Sequence, residues 1–163
     1  IIANETLYKS SMKLNLPPFD FNIREDSGKR QIFDSIRKRF VALTPEEWVR
    51  QHIVRLLIDK YGVPAGLIGV EKSVKVGVLS HRCDAVIYDR EGKPLLIVEV
   101  KAPSVPINQA VIDQASRYNL TLDVEYLLLS NGLDHLVLRL NPLRNGYLVL
   151  DKMLSYSELI AQR

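Results

Sequence analysis

Cysteine is nearly missing from this chain of 163 residues: Cys83 stands alone, which excludes an internal disulfide and any cysteine-based zinc site. Histidine is scarce as well. His52, His81 and His135 show no metal-ligand spacing, and each reads as an ordinary core or surface residue. No apolar run approaches the roughly 18 residues that a membrane span requires. No basic segment followed by an apolar core and cleavage site opens the chain, so the expected location is cytoplasmic. The Gly-x-x-x-x-Gly-Lys-Ser/Thr loop that cradles nucleotide phosphates is absent, so these residues encode no ATP-driven motor. Neither sign of charge dominates. A formal charge of +3 and a pI near 9.0 permit phosphate contacts without demanding them.

What the chain does contain is a pair of acids at the ends of two apolar segments. Asp84 precedes Ala85-Val-Ile-Tyr88, and Glu99 follows Leu95-Leu-Ile-Val98. Between them, Asp89-Arg-Glu-Gly-Lys-Pro94 has turn composition, with Gly92 supplying permissive φ. A hairpin looping at 90–93 sets Asp89 opposite Pro94, Val86 opposite Ile97 and Asp84 opposite Glu99. Strand side chains repeat with period two, so Lys101 joins Glu99 on one face. Opposed Cβ atoms in such a pair lie about 5 Å apart. Two carboxylates and an ammonium therefore converge at one end of an apolar sheet. A structural Lys–Glu pair beside a solvated Asp is the plain alternative. Segments apolar on both faces make three charges there expensive, however, and a hard divalent cation such as Mg²⁺ relieves both repulsion and lost hydration.

The remaining pattern supplies a setting. Residues 1–40 read as an irregular N-terminal extension, with Met12 a candidate start and 1–11 an upstream piece. The basic residues Lys29, Arg30, Arg37, Lys38 and Arg39 suit either a solvated linker or a DNA-contacting arm. Residues 41–163 read as a single domain. Thr44-Pro45-Glu46-Glu47 opens a helix, Thr44 as N-cap and Glu47 closing a capping box, and Val49, Ile53, Leu56 and Leu57 continue at helical spacing. Residues 67–78 read as a first strand around Val70, Val74 and Val76, and the hairpin supplies two more. A helix is expected from about Asn108 to Tyr118, then strands at 124–130 and 135–140 joined through Asn131-Gly132, a dipeptide favoured in two-residue hairpin loops. A short edge strand at 147–150 and a closing helix at 157–162 complete the reading. The sum is an α/β fold, a mixed central sheet flanked by helices in the order α-β-β-β-α-β. Trp48 and Tyr126 look like core aromatics. Glu71 is either an exposed strand acid or a residue approaching the acidic pair.

These residues resemble a known superfamily. Asp84 with Glu99-Val100-Lys101 on adjacent strands resembles the core of the PD-(D/E)XK nucleases, in the restriction-endonuclease-like fold. Closer still is a resemblance to the N-terminal nuclease domain of type I restriction enzyme R subunits. It is carried by Thr44-Pro-Glu-Glu-Trp-Val-Arg-Gln51, Arg82-Cys-Asp-Ala-Val-Ile-Tyr-Asp89, Leu95-Leu-Ile-Val-Glu-Val-Lys-Ala-Pro103, Gln114-Ala-Ser-Arg-Tyr118 and Ser130-Asn-Gly132. Cys83 replaces the proline that precedes the first acid in many relatives. Lacking the phosphate loop, the chain is not a complete translocating R subunit but a stand-alone relative or one module of an assembly.

The resemblance implies a Mg²⁺- or Mn²⁺-dependent nuclease acting on DNA, with a part in restriction and with other restriction-system subunits as partners. Asp84, Glu99 and the backbone carbonyl of Val100 are then the metal ligands, and Lys101 handles the attacking water. Glu47 matches the first-helix acid that contacts the metal or its waters, although capping explains it nearly as well. Gln114 and Tyr118, four apart on one helical face, match a Gln-x-x-x-Tyr pattern that touches the phosphate backbone. Arg82 suits either a phosphate contact or a salt bridge. Two other readings stand beside this one: a non-catalytic nucleic-acid-binding or assembly module that keeps the nuclease fold, and a small-molecule phosphoesterase, for which no nucleotide-pocket motif speaks.

Overall fold

The computed structural model describes residues 12–162. The expected upstream piece at 1–11 lies outside them. Residues 20–42 are not irregular. They carry a three-stranded antiparallel sheet: β1 (Ile23–Asp26), β2 (Lys29–Asp34) and β3 (Arg39–Ala42). Its first turn is Ser27-Gly28, both at positive φ between the paired Asp26 and Lys29, which matches the right-handed twist of a tight hairpin. Cross-strand pairs hold it. Arg24 donates to Gln31 at 2.8 Å, and Phe33 meets Phe40 edge to face at 5.3 Å. Ile32 is fully buried, so this sheet packs onto the rest of the fold rather than trailing from it.

The larger sheet has six strands in sequence order: β4 (Ile68–Val76), β5 (Leu79–Tyr88), β6 (Pro94–Val100), β7 (Tyr126–Ser130), β8 (His135–Leu140) and β9 (Tyr147–Leu150). All neighbours are antiparallel except β6 and β7, whose parallel pairing needs the crossover helix between them. That helix is α2 (Gln109–Leu122), capped by Asn108. α1 (Pro45–Asp59) and α3 (Tyr156–Ala161) cover the opposite face. α1 starts as its sequence directs, with the Thr44 hydroxyl accepting from the Glu47 N–H. Val49, Ile53 and Leu57 then press fully buried onto the sheet. Each such side chain contributes roughly 2 kcal/mol of burial.

Two cores result, one under α1 and α3, the other under α2, with Trp48 and Tyr126 buried as expected. The N-terminal segment is stitched in as well: the Trp48 indole donates to the Met12 carbonyl at 3.1 Å, and the Asn15 N–H to the Gly132 carbonyl at 2.8 Å. Leu14 lies so close over Gly132 that a Cβ there would meet it at 2.7 Å, and Gly132 also sits at φ +84°.

One rung of the sheet is irregular. On β4, Ile68 and Val70 face α1 while Val74 faces α2; on β5, Cys83 faces α2 while Ala85 and Ile87 face α1. Residues two apart should share a face, so the alternation resets once on each strand. The resets fall together at Glu71, which adopts φ +51°, and Asp84, its opposite number between the Val70–Ala85 and Lys72–Cys83 pairs.

Candidate active site

Asp84 emerges from that rung where the β5–β6 pairing runs out. Its Oδ2 accepts the Val100 N–H at 2.8 Å, replacing a ladder bond, and its Oδ1 accepts from Arg50 at 2.9 Å. The expected register holds at Val86–Ile97, so Asp84 and Glu99 meet. Glu99 is pushed up to about 8, first by burial, then by the charge of Asp84 and a hydrogen bond to it, with Lys101 opposing. Lys101 and Glu99 line one cleft of about 130 Å³ together with His81, Gln114 and Tyr118. Glu99 and Lys101 thus share one cleft, with Asp84 against Glu99.

Arginines organise the acids around this pair. Arg50 bridges Glu47 and Asp84, with Glu46 at 3.5 Å and Glu71 at 4.0 Å. Arg37 ties Asp34 and Glu47, each at 2.6 Å, to Glu71 at 3.0 Å. Burial alone would raise Asp34, but the Arg37 N–H and guanidinium and the Ile36 N–H hold it below the usual carboxylate range. Glu71 is therefore no loose surface acid; its positive φ turns it into this network, where Arg82 also reaches it at 3.2 Å. Arg82 remains two-thirds exposed at 67%.

Glu47 sits in the arginine network, linked to Asp84 through the shared Arg50 guanidinium. Its carboxylate is taken by Arg37, Arg50 and the Gln51 amide, deep in the fold, so neither oxygen is presented to the Asp84–Glu99 pair. Nor does it close a capping box, since Thr44 caps in one direction only. The neighbouring Glu46 faces the site instead. Burial and the charge of Asp84 raise it, while Arg50 and Lys101 pull the other way. Arg37, expected on a solvated or DNA-contacting arm, is an internal strut.

His81 was also missed. Its Nε2 lies 3.0 Å from Glu99 Oε1, and its ring stacks on Tyr118 at 4.7 Å and 9°. With Cys83 it completes a trio, His81–Cys83–Glu99, whose ligand atoms lie within 4.8 Å of one another, so the lone cysteine does not exclude a mixed site as the sequence suggested. Burial, then Glu99 and Asp84, push the Cys83 thiol up to about 12. The donors thus divide by hardness: oxygens of Asp84 and Glu99 suit Mg²⁺ or Mn²⁺, whereas the His81–Cys83 side suits a softer ion. His52, packed among Phe21 and Trp48, and His135, bonded to Ser130 and the Asn15 carbonyl, are structural.

Residues 45–153 match the family described as type I restriction enzyme R protein N terminus (HSDR_N). The chain belongs to that family. No curated protein matches it. Among solved structures, it is similar to a fragment assigned to an HsdR subunit of a type I restriction enzyme from Vibrio vulnificus YJ016, with 19% identity and a TM-score of 0.51. The alignment covers 74% of this chain but only 25% of that one, so the chain spans about a quarter of its relative's length. A protein of the DUF820 group from Anabaena variabilis ATCC 29413, described as a nuclease, aligns over 91% of this chain and 88% of its own at 13% identity and a TM-score of 0.48.

Within this R-protein N-terminal domain, α2 brings Gln114 and Tyr118 to the cleft as its four-residue spacing required. Asn131 does more than turn the chain. Its Oδ1 accepts from the Leu133 and Asp134 N–H groups, making a four-residue loop, while its Nδ2 donates to the Val105 carbonyl and fastens the segment after Lys101.

Proposed function

We propose that this domain is a nuclease that hydrolyses phosphodiester bonds in DNA with Mg²⁺ or Mn²⁺, as part of a restriction system with other subunits. One observation carries the reading: the Asp84 and Glu99 carboxyls meet beside Lys101, and Glu99 keeps a proton to about pH 8 because the pair is buried together. Of the two main causes, the repulsion from Asp84 is the one that a cation between the carboxylates would relieve. The donor set agrees, since Asp84, Glu99 and the Val100 carbonyl are all hard oxygens. When bound, the ion supplies polarisation of a phosphoryl oxygen and a more acidic water.

The chain's own residues do the rest. Arg50 and the Val100 N–H fix Asp84 so that it does not move when a phosphate arrives. Lys101 orients the attacking water and offsets charge building on the phosphorane. Gln114 and Tyr118 hold the strand at the cleft, and Arg82, exposed beside Glu71, meets a flanking phosphate. Cleavage of supercoiled plasmid with Mg²⁺ or Mn²⁺, abolished by chelation and by Lys101→Ala, tests the proposal. Cleavage retained in the double variant Asp84→Ala, Glu99→Ala rules it out.

One observation favours a second reading, a nucleic-acid-binding or assembly module without catalysis. Both Asp84 oxygens and one Glu99 oxygen already have protein partners. Salt-dependent DNA binding with no turnover under any divalent ion would select it.

A further inference from the structure

Beside the carboxylate cleft lies a second groove, of about 740 Å³, between the first residues of β5 and the outer face of α2. Leu79 and His81 form one wall, Gln114, Arg117 and Tyr118 the other. His81, Gln114 and Tyr118 line both depressions, so the two are continuous. The Tyr118 ring stacks on His81 and is 49% exposed. Leu79 is 52% exposed across from it, beyond a hairpin tip where Val78 is fully in solvent. Arg117 is exposed and has no ion-pair partner among the described residues, and Lys72 and Lys75 are exposed along the adjoining strand.

The lining matches one kind of occupant. A duplex keeps its bases stacked and presents phosphates first. An exposed aromatic ring near an aliphatic side chain, with a guanidinium one residue away, instead matches an unstacked base and its phosphate. Stacking on such a ring works with any base, and the volume lies in the range of sites that enclose a small ligand. We propose that this groove binds an unpaired stretch of nucleic acid, seating a base against the exposed part of Tyr118 near Leu79 with its phosphate on Arg117. It rests on the nuclease reading only for its consequence, that the strand enters the Glu99–Lys101 cleft single.

Fluorescence anisotropy in EDTA, where nothing is cleaved, tests it with a labelled oligothymidylate and a duplex of equal length. The single strand should bind at least ~10-fold more tightly, and Arg117→Glu and Leu79→Asp should each weaken it by about 10-fold. Both side chains are exposed, and thermal unfolding will show both variants folded. Equal or tighter binding of the duplex, groove variants that hold the single strand like the native chain, or binding of neither probe would overturn the assignment. Binding that survives in Lys101→Ala supports it. Because no metal is present, a failure to cleave DNA would remove the nuclease reading and leave this groove standing.

Discussion

Glu99→Gln is the most revealing single change, because glutamine mimics the protonated acid that the fold prefers. Glu99 titrates near 8 in the folded chain against an ordinary value of 4.5. A raised folded pKa contributes stability that is complete below about 4.5 and is lost as pH climbs through about 8. The full shift is worth at most about 5 kcal/mol. Lys101 turning toward the new charge, and water entering through the cleft, reduce this to about 2–3 kcal/mol. Native and Glu99→Gln proteins in EDTA should therefore unfold alike in urea at pH 4.5. At pH 9 the variant should lead by about 2–3 kcal/mol. Glu46, raised in the same sense, is present in both proteins and largely cancels from the difference. Mg²⁺ at pH 8 should restore the native protein and leave the variant nearly unmoved, since a ligand that binds only the folded state adds stability by mass action. A difference between the two proteins that stays constant from pH 4.5 to 9 would show that Glu99 is not held protonated, and the argument for a cation there would fail.

Other outcomes follow from the same network. Asp84→Ala should cost about 1–3 kcal/mol, because it strands the Val100 N–H and a buried face of Arg50, whereas Asp84→Asn should lose less; thermal unfolding separates them. Lys101→Ala should abolish cleavage while changing stability by less than about 1 kcal/mol, read by plasmid nicking beside calorimetry. Zn²⁺ should suppress Mg²⁺-supported cleavage by capturing His81, Cys83 and Glu99, and Cys83→Ser should relieve that suppression.

The hairpin register was legible because Val86 and Ile97 sit in apolar runs whose pairing is set by the loop between them. The loop itself slips by one. A bulge after Ile87 puts Tyr88 opposite Pro94, and Asp89 instead accepts the Glu91 and Lys93 N–H groups. The strands of 23–42 were hidden because most of their exposed positions are charged and their two buried residues are Ile32 and the acid Asp34, which leaves no visible apolar alternation. His81 was hidden for a subtler reason. In an unbroken strand it would share a face with Cys83 and lie opposite to Asp84 and its rung partner Glu99. Only the reset at Glu71 and Asp84 turns His81 and Cys83 to the Glu99 side, and no periodicity encodes that step.

The same hidden sheet bears on how the site is held. The family match begins at residue 45, yet Arg37 and Asp34 lie before it and grip Glu47 and Gln51 inside α1. Glu47 in turn holds Arg50, and Arg50 holds Asp84. The chain of contacts runs from the N-terminal sheet to Asp84 through alternating charges, each buried enough that losing one partner leaves the next exposed to repulsion. Arg37→Met keeps the volume and removes the charge. It should lower stability by about 3 kcal/mol, through the stranded Asp34 and Glu47 carboxylates. It should also reduce cleavage without changing the affinity for a single-stranded probe, since Arg37 touches neither groove. Hydrogen exchange should rise in residues 29–42 and, if the relay is real, at the Val100 amide as well. Protection of Val100 unchanged beside a loosened N-terminal sheet would show that the two regions are merely adjacent, and that Asp84 is positioned by its own sheet alone.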